Sequence, residues 1–217
     1  MQTAVWILSG AALGAGCGYG ALLWARRMLR ARGREEWLSG SLQTGLFLAV
    51  VLCGGFLGVC TGLVVPLLVA LALLAIGMAV AVCDGLCRLI PNPTVLAVFA
   101  VKLFLMAAAL LHIPGVPPIG FLSSLGGMAV GFLIFSLPGL MGRQVGAGDI
   151  KLAAAMGFLL GVGGALVAVA FMGVLMLGYS MIQRKMPLLQ FLKTDIPMGP
   201  FIAAGMLLVW TLPYLPL

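Results

Sequence analysis

The amino-acid sequence predicts an all-α protein, a polytopic bundle of transmembrane helices. Of its 217 residues, 63% are hydrophobic and only 8% are charged, which leaves too little polar surface to enclose one water-soluble core. The apolar runs are continuous and lack the alternation of a half-buried strand. Because a bilayer forces backbone polar groups to pair within a helix or a closed barrel, helices are expected throughout. We expect a single membrane-embedded domain over residues 1–217.

The lengths of the apolar runs predict about eight spans. A helix needs roughly 20 apolar residues to cross the hydrocarbon core. The predicted spans cover residues 4–25, 41–59, 62–82, 94–111, 119–140, 150–161, 165–181 and 198–212. The sixth of these is short for a membrane span. The first lacks a basic segment before it and is followed by arginines, which is typical of a retained anchor and not of a cleaved signal peptide.

The basic residues predict the orientation. Cytoplasmic loops of membrane proteins collect Lys and Arg. When the eight spans are threaded with the N-terminus outside, all of the twelve basic residues except Lys102 fall on the cytoplasmic side, and residues 26–40 form a short basic cytoplasmic loop. The net charge of +7 is therefore explained by orientation. Membrane lipids are expected partners, and nucleic acid is not.

Five acidic residues remain, and two of them stand out. Glu35 and Glu36 lie among the arginines of the first loop, where a solvated surface pair is expected. Asp195 precedes the last span and suits a helix cap. Asp84 closes the third span and Asp149 opens the sixth, so two complete crossings separate them and both reach the cytoplasmic edge of the bilayer. Ionisable residues at membrane depth normally face the bundle interior and mark a functional site.

Two carboxyl groups at one edge can form a catalytic pair. If they lie close together they share one proton, so that one member can take a proton from water while the other donates a proton to a peptide carbonyl. The alternative is that each acid acts alone, with Asp149 capping the sixth helix and Asp84 accepting hydrogen bonds from loop amides. These residues by themselves leave both interpretations open.

The neighbours of the two acids favour a substrate site. Gly146 and Gly148 just precede Asp149, and glycines admit a second chain closely. In "LIPNP", Pro91 beside Asn92 breaks the helix after Asp84 and predicts a polar pocket at the membrane surface. Lys151 either adjusts the local electrostatics or marks the inner face.

Two separate motifs resemble those of the type IV prepilin peptidases, which are leader peptidases of the GxGD class of intramembrane aspartyl proteases. They are "GAGD" followed by "IKLAAAMGFLLG", and Asp84 followed six residues later by "IPN". The closing "IPMGPFIAAG" is also similar to the last span of that family, and the resemblance covers about residues 78–205.

The resemblance implies a specific reaction. The chain would be an aspartic endopeptidase that removes the short basic leader from type IV pilin or pseudopilin precursors, at the cytoplasmic face of the inner membrane of a prokaryote. Asp84 and Asp149 would be the acid and the base, in either order. Gly146, Gly148, Pro91, Asn92 and Lys151 would shape the site, and no cofactor or metal is implied.

One departure from the family pattern concerns cysteine. Many bacterial members carry a cytoplasmic insert with two CxxC pairs of the kind that binds zinc, and many also methylate the new N-terminus. The loop at residues 26–40 lacks this insert, and no CxxC occurs in the sequence. Cys83 and Cys87 flank Asp84 at helical spacing, but apolar packing is the expected role for both. We therefore expect a compact form without methyltransferase activity.

Two further features of the spans leave alternatives open. Lys102, inside the fourth span, is costly at mid-depth unless it extends to the interface or is paired, and we hypothesise that it reaches an acid or a polar groove. Gly10, Gly14 and Gly18 form a tandem GxxxG, which serves either packing within the bundle or dimerisation. The oligomeric state is not predicted.

Two other functions are compatible with the composition. The first is a small ion-coupled membrane transporter, for which acids near mid-membrane and broken helices in matching halves are expected. The second is a non-catalytic assembly scaffold, which requires neither aspartate. The position of Asp84 and Asp149 at one edge favours the peptidase over both.

Overall fold

A computed structural model describes residues 2–33, 38–61, 64–114, 116, 120–140, 146–182 and 197–214. Glu35, Glu36 and Asp195 lie outside these ranges, and so do five of the basic residues, Arg34, Arg143, Arg184, Lys185 and Lys193. The described chain is all-helical, as predicted. Its helices are α1 (Gln2–Arg30), α2 (Gly40–Thr61), α3 (Val64–Cys87), α4 (Asn92–Leu110), α5 (Phe121–Leu140), α6 (Ala147–Ile182) and α7 (Gly199–Thr211), followed by a 3-10 turn at Leu212–Tyr214.

The helices agree closely with the predicted spans. Six of the described helices, α1 to α6, are long and apolar enough to cross a membrane, and α7 is a shorter apolar helix. Two boundaries differ by more than a turn of helix. α1 extends to Arg30, and α3 continues beyond residue 82 to Cys87, so that Asp84 lies in the last turn of a helix. Both extensions carry the helix to residues that hydropathy alone assigns to loops.

α6 contains a break at Gly161, where φ is 74° and ψ is 179°. This conformation is essentially restricted to glycine. The break divides α6 into a first arm, residues 147–160, and a second arm, residues 162–182. The predicted sixth and seventh spans correspond to these two arms.

The first arm runs parallel to α4. Near the start of both, the Nζ atom of Lys151 lies 3.3 Å from Oδ1 of Asn92. Further along, the ring centroids of Phe158 and Phe99 lie 5.2 Å apart. α4 itself folds back along α3, with which it lines a common groove. The first arm is therefore antiparallel to α3.

α7 is also antiparallel to α3. The amide of Gly199, at the start of α7, donates to Asp84 near the end of α3. At the other end of the pair, Nε1 of Trp210 donates to the carbonyl oxygen of Pro66, 3.3 Å away. The first arm and α7 consequently point in the same direction.

The second arm runs back in the opposite direction. A Cβ atom placed on Gly164 would lie 3.6 Å from a side-chain carbon of Val209, and one on Gly205 would lie 2.7 Å from the carbonyl oxygen of Ala168. These contacts make the second arm antiparallel to α7 and hence to the first arm. The described chain thus contains eight helical segments when the two arms of α6 are counted separately, which is roughly consistent with the predicted number of spans.

Glycine packing joins neighbouring helices. A Cβ on Gly10 would clash with the backbone of Gly54 in α2, and one on Gly58 would clash with the backbone of Trp6. The tandem GxxxG of α1 is therefore used for packing inside the bundle. A similar contact joins α5 to the first arm, because a Cβ on Gly127 would clash with the carbonyl oxygen of Gly157.

The charged residues of the described chain, except Lys102, cluster at one end of the bundle. The C-terminal turns of α1, the end of α3 and the start of α6 meet there, and we call this the basic end. Its basic residues are Arg26, Arg27, Arg30, Arg32, Arg88 and Lys151. Asp84 and Asp149 lie at the same end. The apolar core extends away from it, around α3, the first arm and α7.

Candidate active site

Asp84 is buried between α3 and α7. Its side chain is 5% exposed, and its Oδ2 atom accepts a hydrogen bond from the backbone N–H of Gly199 over 2.9 Å. Gly199 is the first residue of α7, so the carboxyl group lies at the N-terminus of that helix. The partial positive charge of a helix N-terminus stabilises a carboxylate. α7 therefore holds Asp84 in place and complements its charge.

Gly199 belongs to the candidate site, although no sequence motif indicated it. A Cβ at this position would lie 2.9 Å from Oδ2 of Asp84 and 2.8 Å from Cγ1 of Val80. Both distances are shorter than real Cβ contacts, so a side chain would force α7 away from α3. The available signal was the glycine in "IPMGP", at the start of the last span.

Asp149 lies in the first turn of α6. Gly146 directly precedes the helix, and its carbonyl oxygen accepts the N–H of Asp149 over 3.0 Å and that of Ile150 over 3.3 Å. A Cβ on Gly146 would contact Oδ2 of Asp149. The other carboxyl oxygen, Oδ1, is buried and has no hydrogen-bond partner, and it is the only such side-chain atom among the described residues. Such an atom in a native structure calls for an explanation, which can be catalytic.

The first turn of α6 packs against the connection between α3 and α4. A Cβ on Gly148 would lie 2.9 Å from the Cβ of Ile90, which shows how closely the two backbones approach. Pro91 follows in an extended conformation, with φ −68° and ψ 136°, immediately before α4. Its carbonyl oxygen accepts the hydroxyl of Thr94 over 2.7 Å, which closes the first turn of α4.

These contacts bring the predicted site residues together at the basic end. Asp84, near the end of α3, and Asp149, in the first turn of α6, both lie there. Gly146 and Gly148 adjoin Asp149, and Pro91 with Asn92 forms the start of α4 against which α6 is packed. The start of α7 adjoins the same region, which the sequence did not indicate.

Lys151 of α6 and Lys102 of α4 have hydrogen-bond partners that the sequence did not specify. Lys151 is exposed and donates to Oδ1 of Asn92, so it joins α6 to α4 in addition to marking the basic end. Lys102 is 1% exposed, and its Nζ donates to the backbone carbonyl oxygen of Leu159 over 3.2 Å. Its partner in the described part of the chain is therefore a polar group of the backbone and not an acid.

Possible metal ligands are sparse around the two acids. Within the ranges that the structure describes, no group of three or more His, Cys, Asp or Glu side chains could hold a metal ion. Cys83 and Cys87 are free thiols on the last turns of α3.

A sequence profile described as the type IV leader peptidase family matches residues 71–181, just over half of the chain. The chain belongs to the type IV leader peptidase family. No significant match was found among curated proteins or among solved structures. The matched region runs from α3 into the second arm of α6 and includes Asp84, the "IPN" segment, the "GAGD" segment and Lys151. The resemblance found in the sequence is confirmed.

Membership of the leader peptidase family makes this multi-pass helical bundle a peptidase. α1, α2 and α7 lie outside the matched region. Gly199, which donates to Asp84, is therefore a part of the site that the family match does not include. In this leader peptidase the two acids come from different helices, and each carboxyl group lies at a helix N-terminus: Asp149 at that of its own helix and Asp84 at that of α7.

Proposed function

We propose that this leader peptidase is an aspartic endopeptidase in which Asp84 and Asp149 form the catalytic pair. The observation that carries the proposal is the buried, unpartnered Oδ1 of Asp149 at the same end of the bundle as the buried Asp84. A buried acceptor without a partner is destabilising. A proton shared with a second carboxyl group, or a hydrogen bond from a bound peptide, would satisfy it.

The pair can perform general acid–base hydrolysis of a peptide bond. One carboxylate takes a proton from a water molecule, and the oxygen of that water attacks the peptide carbonyl carbon. The other carboxyl group donates its proton to the carbonyl oxygen. Collapse of the tetrahedral intermediate breaks the C–N bond, and the leaving amine takes up a proton. Either aspartate can take either role.

The surroundings of Asp149 suit an extended peptide. Gly146 and Gly148 place no side chain beside the carboxyl group, and a peptide backbone can approach closely where side chains are absent. We propose that the substrate is a type IV pilin or pseudopilin precursor with a short basic leader before its hydrophobic segment. Family membership supports this choice of substrate.

We further propose that the basic end faces the cytoplasm and that the protein lies in the inner membrane of a prokaryote. The positive-inside rule supports this orientation, because all the described basic residues except Lys102 lie at that end. Cleavage would then occur at the cytoplasmic face. Because the loop at residues 26–40 has no CxxC pair, we expect the mature N-terminus to be unmethylated, which mass spectrometry of the product tests.

The decisive experiment compares carboxyl-to-amide variants. The variants are Asp84→Asn and Asp149→Asn, which nearly keep the shape of the side chain and remove the titrating group. We expect each of them to lower kcat for a synthetic pilin precursor by roughly 10²- to 10⁴-fold. Glu36→Gln, which makes the same change in the first loop, is the matched control and should cleave normally. Size-exclusion profiles in detergent establish that the variants are folded. Cleavage at the wild-type rate by either aspartate variant would exclude the proposed pair.

A further inference from the structure

The first arm of α6 ends inside the membrane. Residues 147–160 measure about 21 Å at 1.5 Å per residue, whereas the hydrocarbon core is about 30 Å thick. The arm starts at the basic end and stops at Gly161, where the chain reverses. The last four carbonyl groups of a helix have no partner within it. At Gly161 this leaves polar backbone groups at a depth where water is absent, and they need partners from elsewhere in the protein.

Lys102 supplies one of those partners. Its Nζ donates to the carbonyl oxygen of Leu159, two residues before the break. Lys102 lies ten residues after Asn92, or about 15 Å along α4, which is near the middle of the bilayer. A lysine near a helix end can extend its side chain to the interface, but the side chain of Lys102 is 1% exposed and is directed at the helix terminus.

A lysine amine is well suited to this position. Cations interact favourably with the C-terminal end of a helix, where the partial charge is negative. The amine also donates to a backbone oxygen in the last turn of the arm. The high cost of a buried ionisable side chain in a membrane is normally accepted only for function. Lys102 therefore calls for an explanation, and the proposed acid–base chemistry does not use it.

The first arm is attached to α4 at both ends. At the basic end, Lys151 of the arm donates to Asn92 of α4, and at the buried end Lys102 of α4 donates to Leu159 of the arm. The rings of Phe99 and Phe158 pack between these two hydrogen bonds. Because a short helix moves as a rigid unit, a shift at its buried attachment also shifts its first turn, which contains Asp149.

We propose that Lys102 is a positioning residue, which caps the intramembrane C-terminus of the first arm and thereby sets the position of Asp149 relative to Asp84. This proposal rests on the proposed function for its effect on catalysis, but the cap itself is independent of any reaction. Lys102 touches neither carboxyl group. It acts through the helix that carries Asp149.

The test compares Lys102→Met, which keeps the length of the side chain and removes the amine, with Lys102→Arg, which keeps a donor. Leu103→Met is the matched control, because Leu103 is adjacent in sequence and 60% exposed on the outer surface of the bundle. For Lys102→Met we expect kcat to fall about 10- to 100-fold with KM changed less than about twofold, because a misplacement of about 1 Å can cost 10²-fold. Lys102→Arg should recover most of that loss.

Hydrogen–deuterium exchange of the purified proteins provides a second measurement that does not depend on cleavage. Amides of residues 155–162 should exchange faster in Lys102→Met than in wild type, and those of α1 should not change. Unchanged exchange in residues 155–162, wild-type kcat in Lys102→Met, or no recovery in Lys102→Arg would each overturn the proposal. If wild-type protein cleaves no pilin precursor, the proposed function is at fault, and exchange alone then decides whether Lys102 is the cap.

Discussion

The contact between α7 and Asp84 yields a quantitative prediction for Gly199→Ala. The added Cβ would lie 2.9 Å from Oδ2 of Asp84 and 2.8 Å from Cγ1 of Val80, whereas ordinary contacts of a Cβ begin near 3.4 Å. Both neighbours are side-chain atoms with little room to move, because Asp84 is held by its hydrogen bond to Gly199 and Val80 is fully buried. We therefore expect α7 to move away from α3 by roughly 0.5 Å, the difference between these separations and an ordinary contact.

That movement weakens the hydrogen bond to Asp84. The N–H of Gly199 donates over 2.9 Å, and an additional 0.5 Å brings the separation to the limit at which such bonds are effective. Hydrogen bonds to charged groups contribute about 1.5–3 kcal/mol. If the stabilisation is needed in the transition state, its loss corresponds to a decrease of about 10- to 100-fold in kcat.

The assay is cleavage of a synthetic pilin precursor by protein in detergent or lipid nanodiscs, with kcat and KM measured separately. Gly85→Ala is the matched control. Gly85 follows Asp84 directly, and a Cβ at Gly85 meets nothing within 4 Å. We expect Gly85→Ala to cleave at the wild-type rate and both variants to be monodisperse on size-exclusion chromatography.

Two results would refute this reasoning. If folded Gly199→Ala cleaves as fast as wild type, the bond from α7 to Asp84 contributes nothing to the reaction. If Gly85→Ala loses as much activity as Gly199→Ala, the loss arises from any added methyl group near Asp84 and not from displacement of α7.

Two further substitutions test other contacts. In Gly148→Ala the added Cβ would meet the branched Cβ of Ile90 at 2.9 Å and displace Asp149. We therefore expect kcat to fall about 10-fold or more. The control is Gly163→Ala, whose Cβ meets nothing within 4 Å and which should retain the wild-type rate. Gly161→Ala places a side chain at φ 74°, a backbone conformation that costs about 1–3 kcal/mol for a residue other than glycine. We therefore expect a lower midpoint of thermal unfolding in detergent. An unchanged midpoint would contradict the strained turn.

The fold could be predicted from the sequence because membrane helices are selected by a simple physical property. The length of each apolar run follows the thickness of the hydrocarbon, so the predicted spans agree with the helices within a few residues at most boundaries. The clustering of Asp84 and Asp149 at one end followed from the two crossings between them. Neither prediction required knowledge of which helices are neighbours.

The remaining parts of the site depend on tertiary contacts that sequence patterns do not record. The donor to Asp84 is a backbone N–H, a group that almost every residue has, and only the packing of α7 selects Gly199. The partner of Lys102 depends on where the first arm ends. That point is set by Gly161, one of 31 glycines in the chain, and its positive φ has no distinctive sequence signal.

The reversal at Gly161 has a consequence for biosynthesis. A segment of about 21 Å is too short to cross the hydrocarbon alone. With the orientation proposed above, we therefore expect the two arms of α6 to enter the bilayer together, as a hairpin whose ends both stay on the cytoplasmic side. Asp149 is then never transferred through the lipid. Because α2 and α3 form a similar pair, Asp84 also stays on that side. A nascent chain that has not yet inserted α6 therefore has only Asp84 in its final place.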